Sequence, residues 1–245
     1  MMVTQVLVGI EASESGQRAV TMALEVGHSL GATLVGLMIE DRDDLRDDFL
    51  ARSAGASVSA RALAPEGPPS ETVRRQILRH DLSVLGREAS LRFGLKPDLD
   101  DDSGAPPAER PVLVVPEREV ASGRAVLIAY DGSAASRRAA TSFGESGLAR
   151  GRPVHVAAIG DDGAAAWETA VDGCELLLEL GVAASPHHLA APHTVSRALL
   201  EQRARLDAGL LVLGAYTRSH GARLLWGSVT QEMLDRTEVP LFLHY

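Results

Sequence analysis

The sequence predicts an α/β protein built from two tandem doubly wound sheets, each of five parallel strands. Three observations carry this prediction. The chain repeats itself, short apolar runs alternate with helical patterns, and the length suits two domains of about 120 residues. Val6–Ile39 lies against Val126–Ile159 at a constant offset of 120, without a gap. Identities fall at Val6/Val126, Leu7/Leu127, Ser13/Ser133, Arg18/Arg138 and Ala19/Ala139, and continue through Gly31/Gly151. Glu11 stands opposite Asp131. Later runs match in the same order: Ser83–Gly86 with Leu211–Gly214, and Pro111–Val115 with Pro240–His244. The repeat divides the chain into residues 1–118 and 123–245, joined near Arg118–Arg124.

In the second half the apolar runs place strands near 125–130, 153–159, 183–190, 210–214 and 240–244. Amphipathic stretches place helices near 133–149, 164–180, 194–206 and 228–236. Runs of five or six apolar residues without alternation, each followed by a helix, mark parallel strands buried on both faces. The first half starts the same way but has a shorter middle. Residues 41–56 read as at most a brief helix, and 87–110 as loop. Pro106 and Pro107 argue against a fourth helix there.

Composition excludes several classes. Of 245 residues, 45% are hydrophobic and 23% charged, which suits a globular chain rather than a disordered one. The net charge of −9, with Lys96 the only lysine, leaves no basic footprint for nucleic acid or an anionic membrane. Aromatic residues are only 4%, too few for a base-stacking surface. Cys174 is the one cysteine, so no intrachain disulfide exists. The start lacks a cationic signal region and no run of 18 apolar residues occurs, so a cytoplasmic location is expected.

In a doubly wound sheet, ligands bind outside the carboxyl ends of the strands. Two stretches of the second half converge there. Asp131 ends the first strand and can accept hydrogen bonds from an amino or hydroxyl group; it equally suits the start of a helix cap. Gly214, after Leu213, ends the fourth strand, where a glycine permits close approach of a ligand. Gly227 and Ser228 open the next helix, whose free N–H groups suit a phosphate. Ser228-Val229-Thr230-Gln231 also fits a capping box that needs no ligand. Arg218 and Arg223 are solvated loop residues or phosphate contacts. There is no Walker loop and no G-x-G-x-x-G after a first strand.

Other candidates read as structural. His187 and His188, adjacent on a strand, point to opposite faces and cannot readily share a metal; with His193 nearby, they read as surface polar residues. His220 is read as an exposed loop residue. Ser13 and Ser133 lack a nucleophile elbow. Cys174 reads as a small buried side chain, and Trp167 and Trp226 as packing residues. The acidic run Asp98–Asp102 lacks full EF-hand spacing and reads as a solvated loop.

With these pieces in hand, the sequence resembles the universal stress protein family in its tandem form. VLIAYDGS, DAGLLVLGAY, the GS-V helix opening and PLFLHY carry the resemblance, over nearly the whole chain. It implies an open, Rossmann-like sheet of the adenine nucleotide alpha hydrolase-like type. It also implies binding of ATP, AMP or another adenine nucleotide, with or without Mg²⁺, through G-2x-G-9x-G-[S/T]. By this resemblance Ala129, Tyr130, Asp131 and Ile159 surround the adenine end. Leu213, Gly214, Tyr216 and Thr217 follow the fourth strand, and Gly227, Ser228, Val229 and Thr230 hold phosphate. Thr217 stands where the pattern has its second glycine, and a β-branched residue resists the backbone conformation glycine allows. In the first half the Gly-Ser position falls on Leu99-Asp100 amid carboxylates, so no nucleotide is expected there. No catalytic or metal constellation is present, so any hydrolysis of ATP is slow or absent. The resemblance further implies that the final strands pair into an internal pseudo-dimer, that a homodimer is an option, and that protein partners exist. The rival reading is a nucleotide-free interaction module; the other is a slow hydrolase.

Overall fold

The computed structural model describes residues 3–40, 42–64, 68–92, 110–118, 123–190, 194–215 and 228–244. The chain divides into two compact units that meet at Arg118/Glu119. In the first unit the order is β1 (Gln5–Ile10), α1 (Glu14–Leu30), β2 (Thr33–Met38), α2 (Asp43–Gly55), β3 (Ala60–Leu63), α3 (Pro69–Arg79), β4 (Leu82–Gly86), α4 (Arg87–Arg92) and β5 (Val112–Val115). Its strands are parallel and ordered β3-β2-β1-β4-β5. The second unit runs β6 (Ala125–Ala129), α5 (Ala134–Ser146), β7 (Val154–Ile159), α6 (Gly163–Glu179), β8 (Ser185–Leu189), α7 (Val195–Arg205), β9 (Ala208–Gly214), α8 (Ser228–Arg236) and β10 (Leu241–His244). Its parallel order, β8-β7-β6-β9-β10, is the same as in the first unit.

Several of the repeated positions have a visible physical cause. Val6, Leu7, Val126 and Leu127 are fully buried, as parallel strands covered on both faces require. Ser13 and Ser133 cap their helices, accepting from Gly16 N at 3.0 Å and Ser136 N at 3.2 Å. Gly31 ends α1 at φ 65°, a left-handed conformation that favours glycine.

Two expectations for the first unit are corrected. Residues 41–56 hold α2, a helix of 13 residues rather than a brief one. Its apolar signal is thin because only Leu45, Phe49 and Ser53 are buried, at a spacing of four. Phe49 is the anchor: a Cβ on Gly36 would lie 2.6 Å from its ring, so the glycine makes room for it. Ion pairs Arg46–Asp43 and Arg52–Asp48 support its outer face at 2.8 and 3.4 Å. The start of 87–110 is likewise not loop, since α4 begins directly after β4. Residues 93–109, with Lys96, the acidic run and both prolines, lie outside the described residues.

Candidate nucleotide crevice

Strand β6 is flanked by β7 on one side and β9 on the other, so the carboxyl ends of three strands converge. Above them lies a crevice of about 270 Å³, near the lower end of small-ligand sites. It is lined by Ala129, Tyr130 and Asp131 from the end of β6 and Ile159 from β7. Leu213 and Gly214 from β9, and Val229 and Thr230 from the first turn of α8, also line it, and Ser228 opens α8. Ser133, Ser136, Ala157, Val195 and Leu199 line it too, without having been singled out in sequence as lining residues. Val195 and Leu199 sit on one face of α7, a hydrophobic wall whose helical spacing was legible but whose side was not. Tyr216, Thr217 and Gly227 lie outside the described residues, as do Arg218, His220, Arg223 and Trp226.

Asp131 is an exposed carboxylate at the mouth. Its Oδ1 accepts the Ser133 N–H at 3.0 Å, while its own N–H donates to Ser136 Oγ at 3.4 Å. Burial raises its pKa, but hydrogen bonds from Ser133 and Ser136 outweigh this and hold it below the ordinary value. Ser133, not Asp131, caps α5, and one Asp131 oxygen braces the turn that leads into that cap. Tyr130 turns away under α6, where a Cβ on Gly173 would lie 3.0 Å from its ring. Burial raises its phenol pKa, though Arg137, whose guanidinium sits 5.9 Å from the ring centroid, opposes this.

Gly214 has a different reason from the one the sequence suggested. A Cβ there would meet Ala135 C and Ser136 N at 2.5 Å, so glycine is required by the approach of α5. The amino end of α8 still opens on the crevice, through half-buried Val229 and buried Thr230. Gln231 turns along the helix and donates to Asp235 at 3.2 Å. Ser196, buried beneath the capping Thr194 on α7, donates to Glu232 and ties α7 to α8.

The corresponding place in the first unit is filled from within. Glu11, one methylene longer than its counterpart Asp131, is 2% exposed. Its Oε1 accepts from Ala89 N at 3.3 Å, and a Cβ on Gly86 would meet that same oxygen at 2.6 Å. Burial raises the Glu11 pKa, as do Glu88 and Glu40, against hydrogen bonds from Ser13 and Ala89.

Residues 123–243 match the family model described as the universal stress protein family. The second unit belongs to the universal stress protein family. A solved universal stress protein from Archaeoglobus fulgidus shares its fold at a TM-score of 0.70 and 16% identity, covering 98% of this chain and 97% of that one. A putative universal stress protein from Pseudomonas aeruginosa gives 0.62 and 17%, covering 99% and 93%. No curated protein gives a significant match. The universal stress protein unit thus carries its crevice where such a sheet binds ligands.

The remaining candidates fall elsewhere. His187 and His188 are half-buried rather than simple surface residues. His187 Nε2 lies 2.9 Å from His155 Nδ1, and His188 Nε2 lies 3.0 Å from the Gly160 carbonyl. The His155 partnership was not anticipated. His193 lies outside the described residues. Cys174 is half-buried and burial raises its thiol pKa. Trp167 is 49% exposed, not a packing residue. Among the described residues, no group of three His, Cys, Asp or Glu side chains is placed to hold a metal, and no helix is long and apolar enough to cross a membrane.

Proposed function

We propose that this universal stress protein is a regulatory module that binds an adenine nucleotide in its second unit. The crevice beside Asp131 is the observation that carries the reading. Its walls divide as a nucleotide would need. Ala157, Ile159, Val195 and Leu199 offer apolar contact to a flat base, and Asp131 offers an ionised acceptor for its amino group or a ribose hydroxyl. The amino end of α8 offers N–H groups and a positive dipole end to phosphate. Mg²⁺ enters this reading only as a companion of a triphosphate. The first unit, with Glu11 lying over Gly86, binds no nucleotide and acts as a structural partner.

Calorimetry on the full chain with ATP and with AMP tests the proposal. One site per chain is expected, weakened by Asp131→Ala and by Val229→Asp, which sets a carboxylate against the phosphate. Absence of binding at millimolar nucleotide, or binding indifferent to both variants, would overturn it in favour of a nucleotide-free interaction module.

A further inference from the structure

The first unit holds a second pocket, of about 320 Å³, on the sheet face covered by α3. Its position follows from the registers. Arg61 and Leu63 of the edge strand β3 pair with Val35 and Leu37, on the opposite face from Gly36, whose neighbour is Phe49 of α2. Arg61 and Leu63 line the pocket from the strand; Thr72, Gln76, Arg79 and His80 line it from α3 and its end.

Charge sets this pocket apart. The chain carries 33 acidic against 24 basic residues, and many of its arginines find carboxylates. Arg42, Arg46, Arg52, Arg137 and Arg197 each pair with one within 4.0 Å. Among the described residues, Arg61 and Arg79 pair with none, as is also true of Arg124, Arg152, Arg203 and Arg205, but Arg61 and Arg79 border the same cavity. The nearest acid in sequence, Asp81, is committed elsewhere: it accepts from Thr4 N and Thr4 Oγ1 at 2.8 Å and from Gln5 N at 3.0 Å. His80 is 4% exposed and its ring is fixed, because the Gln76 carbonyl can only accept, so Nδ1–H donates to it at 2.7 Å.

The second unit supplies an internal contrast. Ala157 pairs with His187 as Leu37 pairs with Leu63, so His187 stands where Leu63 stands. There the space is spanned by side chains, His155 to His187 at 2.9 Å and Gln202 to His187 at 3.4 Å. The first unit leaves the same face open and lines it with two fixed positive charges.

We propose that this pocket binds a small organic phosphate. Guanidinium forks match phosphate oxygens in pairs. Gln76 and Thr72 add neutral polar atoms, and Leu63 with Ala64 gives the organic body an apolar contact. This site is separate from the nucleotide crevice and stands or falls without it.

The test uses the full chain and glycerol 3-phosphate as probe, with glycerol and inorganic phosphate as arms. Binding is read by calorimetry and mapped by amide chemical shifts. Saturable binding with shifts at Arg61, Gln76, Arg79 and His80 is expected, absent for glycerol and weaker for inorganic phosphate. Because Arg61 and Arg79 are exposed, Arg61→Gln and Arg79→Gln leave the fold intact, which the circular dichroism spectrum checks. Each is expected to weaken binding by about tenfold, the worth of a charged hydrogen bond. Shifts confined to the Asp131 crevice, affinities unchanged in the double variant, or no saturation at millimolar probe would each overturn the proposal.

Discussion

The two units share strand order, helix caps and a glycine at the end of the fourth strand, yet they treat the carboxyl ends of their strands in opposite ways. In the second unit, Asp131 ends β6 at an open crevice and braces only its own turn. In the first, Glu11 reaches across to Ala89 and lies over Gly86. A single methylene separates a carboxylate that faces outward from one that is consumed by the fold. Sequence similarity between acidic residues therefore says little about whether a site is open.

The glycines give the largest expected effect. A Cβ on Gly86 would lie 2.7 Å from Gly16 N, and one on Gly214 2.5 Å from Ser136 N, so each glycine packs against the start of its own unit's first helix. Gly86→Ala and Gly214→Ala should each cost about 3 kcal/mol, as overpacked cores do. Equal losses in chemical denaturation would show that both glycines serve packing. A neutral Gly214→Ala would show that only the first unit depends on it.

Asp81 comes next. It joins the start of β1 to the start of β4 through three hydrogen bonds. Burial raises its pKa, but bonds from Thr4 and Gln5 outweigh this and lower it. A depressed carboxyl stabilises the fold above its unfolded pKa of 3.8 and loses that contribution as pH falls through the folded value. Asp81→Ala should cost about 2 kcal/mol at neutral pH, and less in acid, by urea denaturation.

Glu11 should behave in the reverse sense. Its pKa is raised above 4.5, so its stabilising share is complete below that value and is lost as pH rises through the folded pKa. Glu11→Gln keeps an acceptor for Ala89 and should raise the thermal midpoint at neutral pH, with no gain in acid. A lowered midpoint at neutral pH would show that the charge itself braces α4.

The smallest effect concerns the His155–His187 pair. Burial depresses both, and His187 adds to the depression of His155. Depressed histidines give their full stability above the unfolded value of 6.5 and lose it as pH falls through the folded values. His155→Gln should flatten that acid decline in the thermal midpoint by an amount too small to change the neutral value.

Much of the fold was legible because repeated apolar runs and capping serines mark a buried parallel sheet. Helix α2 was read as at most brief because Arg and Asp pairs dress its surface and only Leu45, Phe49 and Ser53 turn inward. At the crevice, Asp131 and Gly214 were readable because strand ends converge by topology, whereas Thr230 came only through the family resemblance. Val195 and Leu199 were not, since nothing local says which wall α7 forms. Contacts such as Glu11 with Ala89, 78 residues apart, and His155 with His187, 32 apart, leave no local signal at all.

The bond from Ala89 to Glu11 also sets a clock. An amide held by a buried carboxylate exchanges its hydrogen only when that part of the first unit opens. At fixed pH, a nucleotide bound in the second unit should leave its exchange rate unchanged. The amides at the start of α8 face a crevice instead, so their exchange should slow only when something occupies it. One molecule thus carries its own reference beside its reporter.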